Sequence, residues 1–285
     1  MTTLRFDSLP SMARYYPALA RPRRVPSSPV LPDIEAIIES QVTYSATMSH
    51  YRAVCGLPPA ATIPITWPQV LAGPLHAAML AHPSFPFPSM GLVHVRNTIR
   101  RHHEVMENVP LTLRTWLSDL TPVKTGYEFA INTTAHFQDR LLWESATVAL
   151  ARAKHGHTVD ANRPPLPEPL PERVVLRLPE NLGRQYSSIS RDINPIHIHR
   201  LTSMPFGFPR PIIHGMWTFA RAIGELGNSL PVGECTATVS FVRPIPLPGS
   251  IRIGMAESGD VRSWDVVDPA SMRILAFGDV RPGVS

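Results

Sequence analysis

A chain of 285 residues with 44% hydrophobic residues is long enough for one large domain or two ordinary ones and apolar enough to fill their cores, which excludes a disordered protein. The net charge of +5 comes almost wholly from arginine, since Lys124 and Lys154 are the only lysines. Such a surface suits nucleic acid, but also phosphorylated carriers such as coenzyme A or an acidic carrier protein.

No apolar run reaches the roughly 20 residues of a membrane span, so no membrane partner is expected. The start, MTTLRFDSLPSMARYYPALARPRR, lacks the continuous apolar core of a secretory signal. Its proline and tyrosines also break an amphipathic transit-peptide pattern, which leaves the cytoplasm as the expected compartment. Residues 1–29 read as an N-terminal extension. RPRR (21–24) and IRRHH (99–103) lack interleaved aromatics and a helix-turn-helix pattern. Both read as solvated faces, and no nucleic-acid partner is expected. Cys55 and Cys235 lie far apart without metal-ligand spacing, as structural thiols in a reducing compartment would.

From residue 30 to 160 the pattern is a strand (EAIIESQ), a helix (YSATMSHYRAVCG) and a second helix (TWPQVLAGPLHAAML) with Thr66 as cap and Pro68 near its first turn. LTLRTWLSDLTPVKTGYEFAINTTAHF and RLLWESATVALAR follow as strands. The aromatic, proline-rich PSFPFPSMGLVHVRN (83–97) fits either a wall for an apolar ligand chain or a structural loop. His102-His103 and His155-Gly156-His157 read as exposed loop residues. The proline-rich RPPLPEPLPE gives residues 161–172 the character of an extended linker at about 3.1 Å per residue.

Residues 173–285 repeat the order of the first half. RVVLRL alternates as a strand, PENLGRQYSSIS is a short helix, and HGMWTFARAIGELG places Met216, Phe219, Ala220 and Ile223 on one helical face with Gly227 as a stop. ECTATVSFVRPIP, PGSIRIGMAES, VRSWDVV and MRILAFGDV alternate as strands. A helix followed by several antiparallel strands buries its apolar stripe when the sheet wraps around it. The expected class is therefore α+β, a double hot-dog of two tandem halves. Tyr51 aligns with Tyr186 and Leu57 with Asp192, so the first half lacks the acid. The second half is also 12 residues longer, with 25 steps from Tyr186 to Pro211 against 13 from Tyr51 to Pro64. The surplus, IHIHRLTSMPFG, is expected to overhang a site.

SRDINPIH sets Asp192 and His197 five residues apart around an Asn-Pro turn, which is an ordinary turn signal by itself. Joined to His214-Gly215 at a helix start, YSSISRDINPIH resembles the MaoC-like (R)-specific enoyl-thioester hydratases, also described as (3R)-hydroxyacyl-thioester dehydratases, in their double hot-dog form. The resemblance implies that Asp192 and His197 are the catalytic pair, that Asn194 supports the loop, and that Gly215 gives its backbone N–H to the thioester oxygen. With these go His214 and Arg191 as residues beside the substrate; the family has glycine where Arg191 stands. A position there requiring positive φ would strain arginine. The implied reaction is the reversible hydration of trans-2-enoyl to (3R)-3-hydroxyacyl thioesters of coenzyme A or an acyl-carrier protein, within fatty-acyl metabolism. It needs a base, an acid and an oxyanion donor, and requires no metal or redox cofactor. His197 and His199 on one strand face with His214 form a weaker alternative as metal ligands, since no carboxylate or cysteine completes a recognisable set. Rival functions are a hot-dog acyl thioesterase and a non-catalytic acyl-thioester binding subunit. Two halves in one chain make an internal pseudo-dimer, so either a monomer or a homodimer fits.

Overall fold

The computed structural model describes residues 1–153, 160 and 163–283, and eleven strands among them form one sheet. In the first half, β1 (Thr2–Phe6) and α1 (Tyr16–Leu19) precede β2 (Ile34–Val42), α2 (Ser45–Cys55), α3 (Trp67–Leu71) and α4 (Gly73–Ala81). Strands β3 (Val93–Arg101), β4 (Pro110–Val123), β5 (Gly126–Phe137) and β6 (Arg140–Arg152) follow. The second half contains β7 (Glu172–Leu178), α5 (Leu182–Ser190), α6 (Arg200–Ser203) and α7 (Gly215–Gly224). It ends with β8 (Cys235–Phe241), β9 (Gly249–Ser258), β10 (Val261–Val267) and β11 (Ile274–Pro282).

The spatial order is β1-β2-β4-β5-β6-β3-β8-β11-β10-β9-β7. Setting β1 aside, it reads the same from both ends, with β2, β3, β4, β5 and β6 matched by β7, β8, β9, β10 and β11. The two copies join where the matched strands β3 and β8 pair antiparallel, Ile99 opposite Ala237 and Asn97 opposite Val239. The fold is an α+β double hot-dog. Leu75 and Met79 of α4 and Phe219 and Ala220 of α7 are almost wholly buried. Phe219 stacks on Trp264 of β10 with ring centroids 5.8 Å apart, so truncating it to alanine would remove about 3–5 kcal/mol. The matched tyrosines also meet, Tyr51 and Tyr186 having centroids 6.3 Å apart. Among the described residues no helix is long and apolar enough to cross a membrane.

Several expectations need correction. IRRHH is not a solvated face: it ends β3, where Ile99 and Arg101 are buried and Arg101 donates to the carbonyls of Gly233 and Pro231. His102 is likewise no free loop residue, since its Nε2 lies 2.9 Å from Glu144 Oε1. The helix expected over TWPQVLAGPLHAAML is broken at Ala72, because Gly73-Pro74 opens a new helix and proline has no N–H to continue the old one. In the segment 83–97, Phe85 and Phe87 turn inward against Phe129, and Val93 onward is β3. The proline-rich stretch ends attached rather than free: Leu170 N–H donates to Asp265 Oδ2 at 2.7 Å and Glu172 already belongs to β7. The triplet His155-Gly156-His157 lies outside the described residues. Finally, residues 1–29 are part of the fold, with β1 pairing parallel to β2 from Thr2 opposite Ile34 to Phe6 opposite Ile38.

Expressed alone, residues 173–285 would leave the β8 edge unpaired and the Tyr186 surface uncovered. We expect that fragment to aggregate or self-pair in size-exclusion chromatography; a well-behaved monomer with native circular dichroism would contradict the coupling of the two halves.

Candidate active site

The SRDINPIH segment folds as a chain of local hydrogen bonds. α5 stops because Arg191 adopts the left-handed region at φ 61°, the conformation that glycine takes without a Cβ penalty. The matched position in the first half is Gly56, with φ 64°. Holding arginine there costs roughly 1 kcal/mol, and its exposed side chain points to solvent rather than into the cluster. Asp192 Oδ1 then accepts from Asn194 N–H at 3.0 Å, and Asn194 Oδ1 accepts from Ile196 N–H at 3.3 Å, capping the turn Pro195–His197. Asn194 therefore spends its carbonyl on the loop instead of on substrate. His197 Nδ1 lies 2.7 Å from the Ile212 carbonyl, which can only accept. Nδ1 must carry the hydrogen, and the Nε2 lone pair is left available.

His214 is buried beneath this loop. Its ring stacks on His197 with centroids 3.7 Å apart, and its Nε2 donates to the Asp192 carbonyl at 3.1 Å. A substrate-facing role for His214 is thus corrected to support of the loop. His214 Nδ1 is buried and has no partner among the described residues. His199 turns away and is exposed, its Nδ1 accepting from Leu201 N–H at the start of α6. Asp192, His197 and His214 do gather, one ligand-type atom from each lying within 4.8 Å of the others. The two rings lie nearly parallel, at 27°, so their in-plane lone pairs run side by side instead of converging at the roughly 2.1 Å of a zinc–imidazole bond. An acid–base cluster fits this arrangement better than a metal centre.

Charge follows from burial and proximity. Burial works to raise the Asp192 carboxyl, but His214, His197, the Asn194 N–H and the Tyr16 hydroxyl outweigh it and hold the group below its ordinary value. Its side chain remains 38% exposed, so the carboxylate is reachable from solvent. Burial lowers His197, partly opposed by Asp192 and the Ile212 carbonyl, and lowers His214 to about 3 with help from His197. At neutral pH the cluster is a carboxylate beside two neutral imidazoles.

Gly215 opens α7, so its N–H has no intrahelical acceptor and sits at the positive end of the helix dipole. A Cβ there would find no free space. It would meet the Phe241 ring at 3.0 Å. Gly183, which sequence reasoning passed over, is fixed by contact too: a Cβ would fall 2.1 Å from the His197 carbonyl oxygen. Its only signal is a glycine inside a helical pattern. Beside the loop, a cleft of about 320 Å³ opens between Leu9, Trp67, Val70, Leu71, Ile189 and Arg191. The surplus segment after His197 forms short helical turns that leave Leu201, Met204 and Phe206 exposed. A second recess, of about 300 Å³, lies at the opposite end of α7, near Glu225 and Leu226.

Residues 160–271 match the family model described as MaoC like domain. A curated relative, the 3-hydroxyacyl-thioester dehydratase X of Mycobacterium tuberculosis, is 28% identical over 256 residues, covering 89% of each chain. The crystal structure of HtdX from that organism superposes with a TM-score of 0.78 at 24% identity, over 87% of this chain and all of the other. A MaoC-like dehydratase from Phytophthora capsici gives 0.73 at 15% identity, over 92% of this chain and all of the other.

Two outcomes follow from the contacts. Gly215→Ala should destabilise the chain by about 1–3 kcal/mol through overpacking on Phe241, and Phe241→Leu should restore most of the loss in denaturant unfolding. Failure of the second change to compensate would locate the strain elsewhere. The other outcome concerns pH. Burial, with the charge of His94, holds His76 at about 3, and His214 is held at about 3 too, against 6.5 for an exposed imidazole. Between those values the unfolded chain binds protons that the folded chain refuses, so stability rises with pH and is lost as pH falls below 6.5. The slope is about 1.4 kcal/mol per pH unit for each histidine. The melting temperature should decline steadily from pH 6.5 to 4, whereas a flat profile would mean that these rings are not held neutral.

Proposed function

From the match of residues 160–271 to the MaoC like domain and the similarity to a 3-hydroxyacyl-thioester dehydratase, we propose that the chain interconverts trans-2-enoyl and (3R)-3-hydroxyacyl thioesters, and that residues 173–285 carry the chemistry while residues 30–160 serve as a non-catalytic partner half. The observation that carries this reading is the convergence of Asp192 and His197 beside the N-terminus of α7. Their reacting atoms are close enough for one water to bridge them with two ordinary hydrogen bonds.

In hydration, that water donates one hydrogen to the Asp192 carboxylate and the other to the His197 Nε2 lone pair. As its oxygen bonds to Cβ, one of these groups takes the proton and returns it to Cα. Electrons from the Cα–Cβ double bond move toward the thioester oxygen, which the Gly215 N–H receives. Such a donor is worth about 10²–10³ in rate, and acid–base transfer about 10²–10⁴. Dehydration is the reverse, and the neutral state of His197 suits both directions. The carrier is coenzyme A or an acyl-carrier protein, and the acyl portion belongs to fatty-acyl metabolism.

Loss of conjugated enoyl absorbance from crotonyl-CoA and a longer homologue tests the reading. Asp192→Asn and His197→Ala should each lower turnover by about 10²–10⁴ with the fold retained, and the double variant should be little worse than either, since the two act as a unit. Turnover near wild type in either variant, or release of free thiol in place of hydration, would overturn it.

A further inference from the structure

The N-terminal segment reaches across the molecule to the Asp192 loop. After β1 pairs with β2, Ser8 and Leu9 pass along the cleft beside Ile189 and Arg191. The chain then turns through Met12–Arg14 into α1. Leu19 is buried against Ala77 and Ala81 of α4. Arg23 closes the attachment, donating to the Phe85 carbonyl at 2.6 Å and the Ala81 carbonyl at 3.1 Å. α1 is thereby held by the first half while it presents Tyr16 to the second.

Tyr16 is half-buried, and its hydroxyl lies 3.5 Å from Asp192 Oδ1. The Ile193 backbone N–H also faces this hydroxyl and favours its ionised form, so the ring borders the loop at two consecutive residues. Oδ1 already accepts from Asn194 N–H. With Asn194 and Tyr16 on Oδ1, the plane of the carboxyl is set, and Oδ2 is the oxygen left toward His214, 3.8 Å away, and toward the water.

We propose that Tyr16 is a positioning residue for the reaction: its hydroxyl, carried by the N-terminal segment, fixes Asp192 Oδ1 so that Oδ2 faces the substrate. The inference rests on the reading of Asp192 as a catalytic group. A 3.5 Å separation is long for a hydroxyl–carboxylate bond, and such bonds tighten when substrate closes the site. Burial, then the Asp192 charge, raises the Tyr16 hydroxyl far above its ordinary range, so it remains a donor wherever the enzyme folds.

A purely structural tyrosine and a positioning one predict different pH behaviour. The groups facing Asp192 are Tyr16 from α1, His197 from its own loop, His214 from the start of α7, and Tyr186 from α5. Of these, Tyr16 is the one Tyr16→Phe removes. A donor to the carboxylate favours its ionised form, so losing it raises the Asp192 pKa. In the full-length chain, Tyr16→Phe should therefore shift the acid limb of the crotonyl-CoA hydration profile to higher pH. It should lower kcat by about three- to tenfold at pH 7, the size of one ordinary hydrogen bond as the 3.5 Å separation warrants, with KM little changed and melting temperature retained. Arg23→Ala, which loosens the segment without touching Asp192, should move the limb in the same direction by less, and adding it to Tyr16→Phe should move it no further. An unshifted limb in Tyr16→Phe, with Asp192→Asn still inactive, would overturn the role of Tyr16 and leave the site reading intact. An active Asp192→Asn would overturn both. A fall in rate accompanied only by lost thermal stability would assign Tyr16 to packing and overturn the inference.

Discussion

The pairing of β3 with β8 is the contact from which the rest of the arrangement follows. It makes one sheet out of two, and because the strands are matched members of the two halves, it brings every other matched pair into a near-symmetric relation. Tyr51 and Tyr186 meet near that axis, with the Tyr51 hydroxyl bonded to Thr66 Oγ1 at 2.9 Å. Trp217 of α7 reaches across to donate to the Val54 carbonyl at 2.9 Å, and Arg221 to the Gly56 carbonyl at 3.1 Å. The first of these cross-half bonds satisfies a part-buried indole N–H, and the second ties the halves at an exposed position. The α5 loop is thus packed from behind by the other half, which is why its histidines can be driven so far into the interior.

That burial sets the chemistry. Two imidazoles stacked face to face could not both be charged without strong repulsion, and desolvation penalises even one cation. The cluster therefore keeps a single negative charge, on Asp192, held by the two imidazoles beside it and by hydrogen bonds from Asn194 N–H and Tyr16. A carboxylate that accepts from a backbone N–H and a tyrosine stays ionised while one face remains open to solvent. Neutral His197 beside it can then accept a proton without first having to lose one.

Much of this was legible in the chain. The strand ECTATVSFVRPIP showed itself because buried and half-buried residues alternate along it, and α7 because Phe219, Ala220 and Ile223 recur at helical spacing. The sequence DINPIH carries its turn in its own residue types. β3 was hidden because three of its nine residues are arginine and the buried one, Arg101, is satisfied by carbonyls 130 and 132 positions away, beyond any local pattern. β1 was hidden because parallel pairing with β2 spans about 30 residues and leaves no hairpin signal. Tyr16 and Asp192 are separated by 176 positions, and Tyr16 sits among residues whose composition reads as an extension. At Arg191 the residue type gave the wrong local hint: the left-handed cap announced by Gly56 in the first half is imposed on an arginine in the second.

The comparison of the two halves also explains why only one is read as catalytic. After Gly56 comes Leu57, where the second half has Asp192 after Arg191, so the first half's loop has neither the charge nor the acceptor that organises a water. Its helix start is equally closed. α3 opens Trp67-Pro68; the Trp67 N–H is already donated to the Pro64 carbonyl at 2.8 Å, and Pro68 has no N–H to give. The Trp67 indole occupies the interior there, bonded to Thr43 Oγ1 at 2.8 Å. The second half presents Gly215 at its helix start, with no side chain and an N–H free of the helix. A duplicated fold needs only one such opening, and the filled copy contributes what the open one lacks: a packed wall behind α5, and through α4 the anchor for the segment that carries Tyr16.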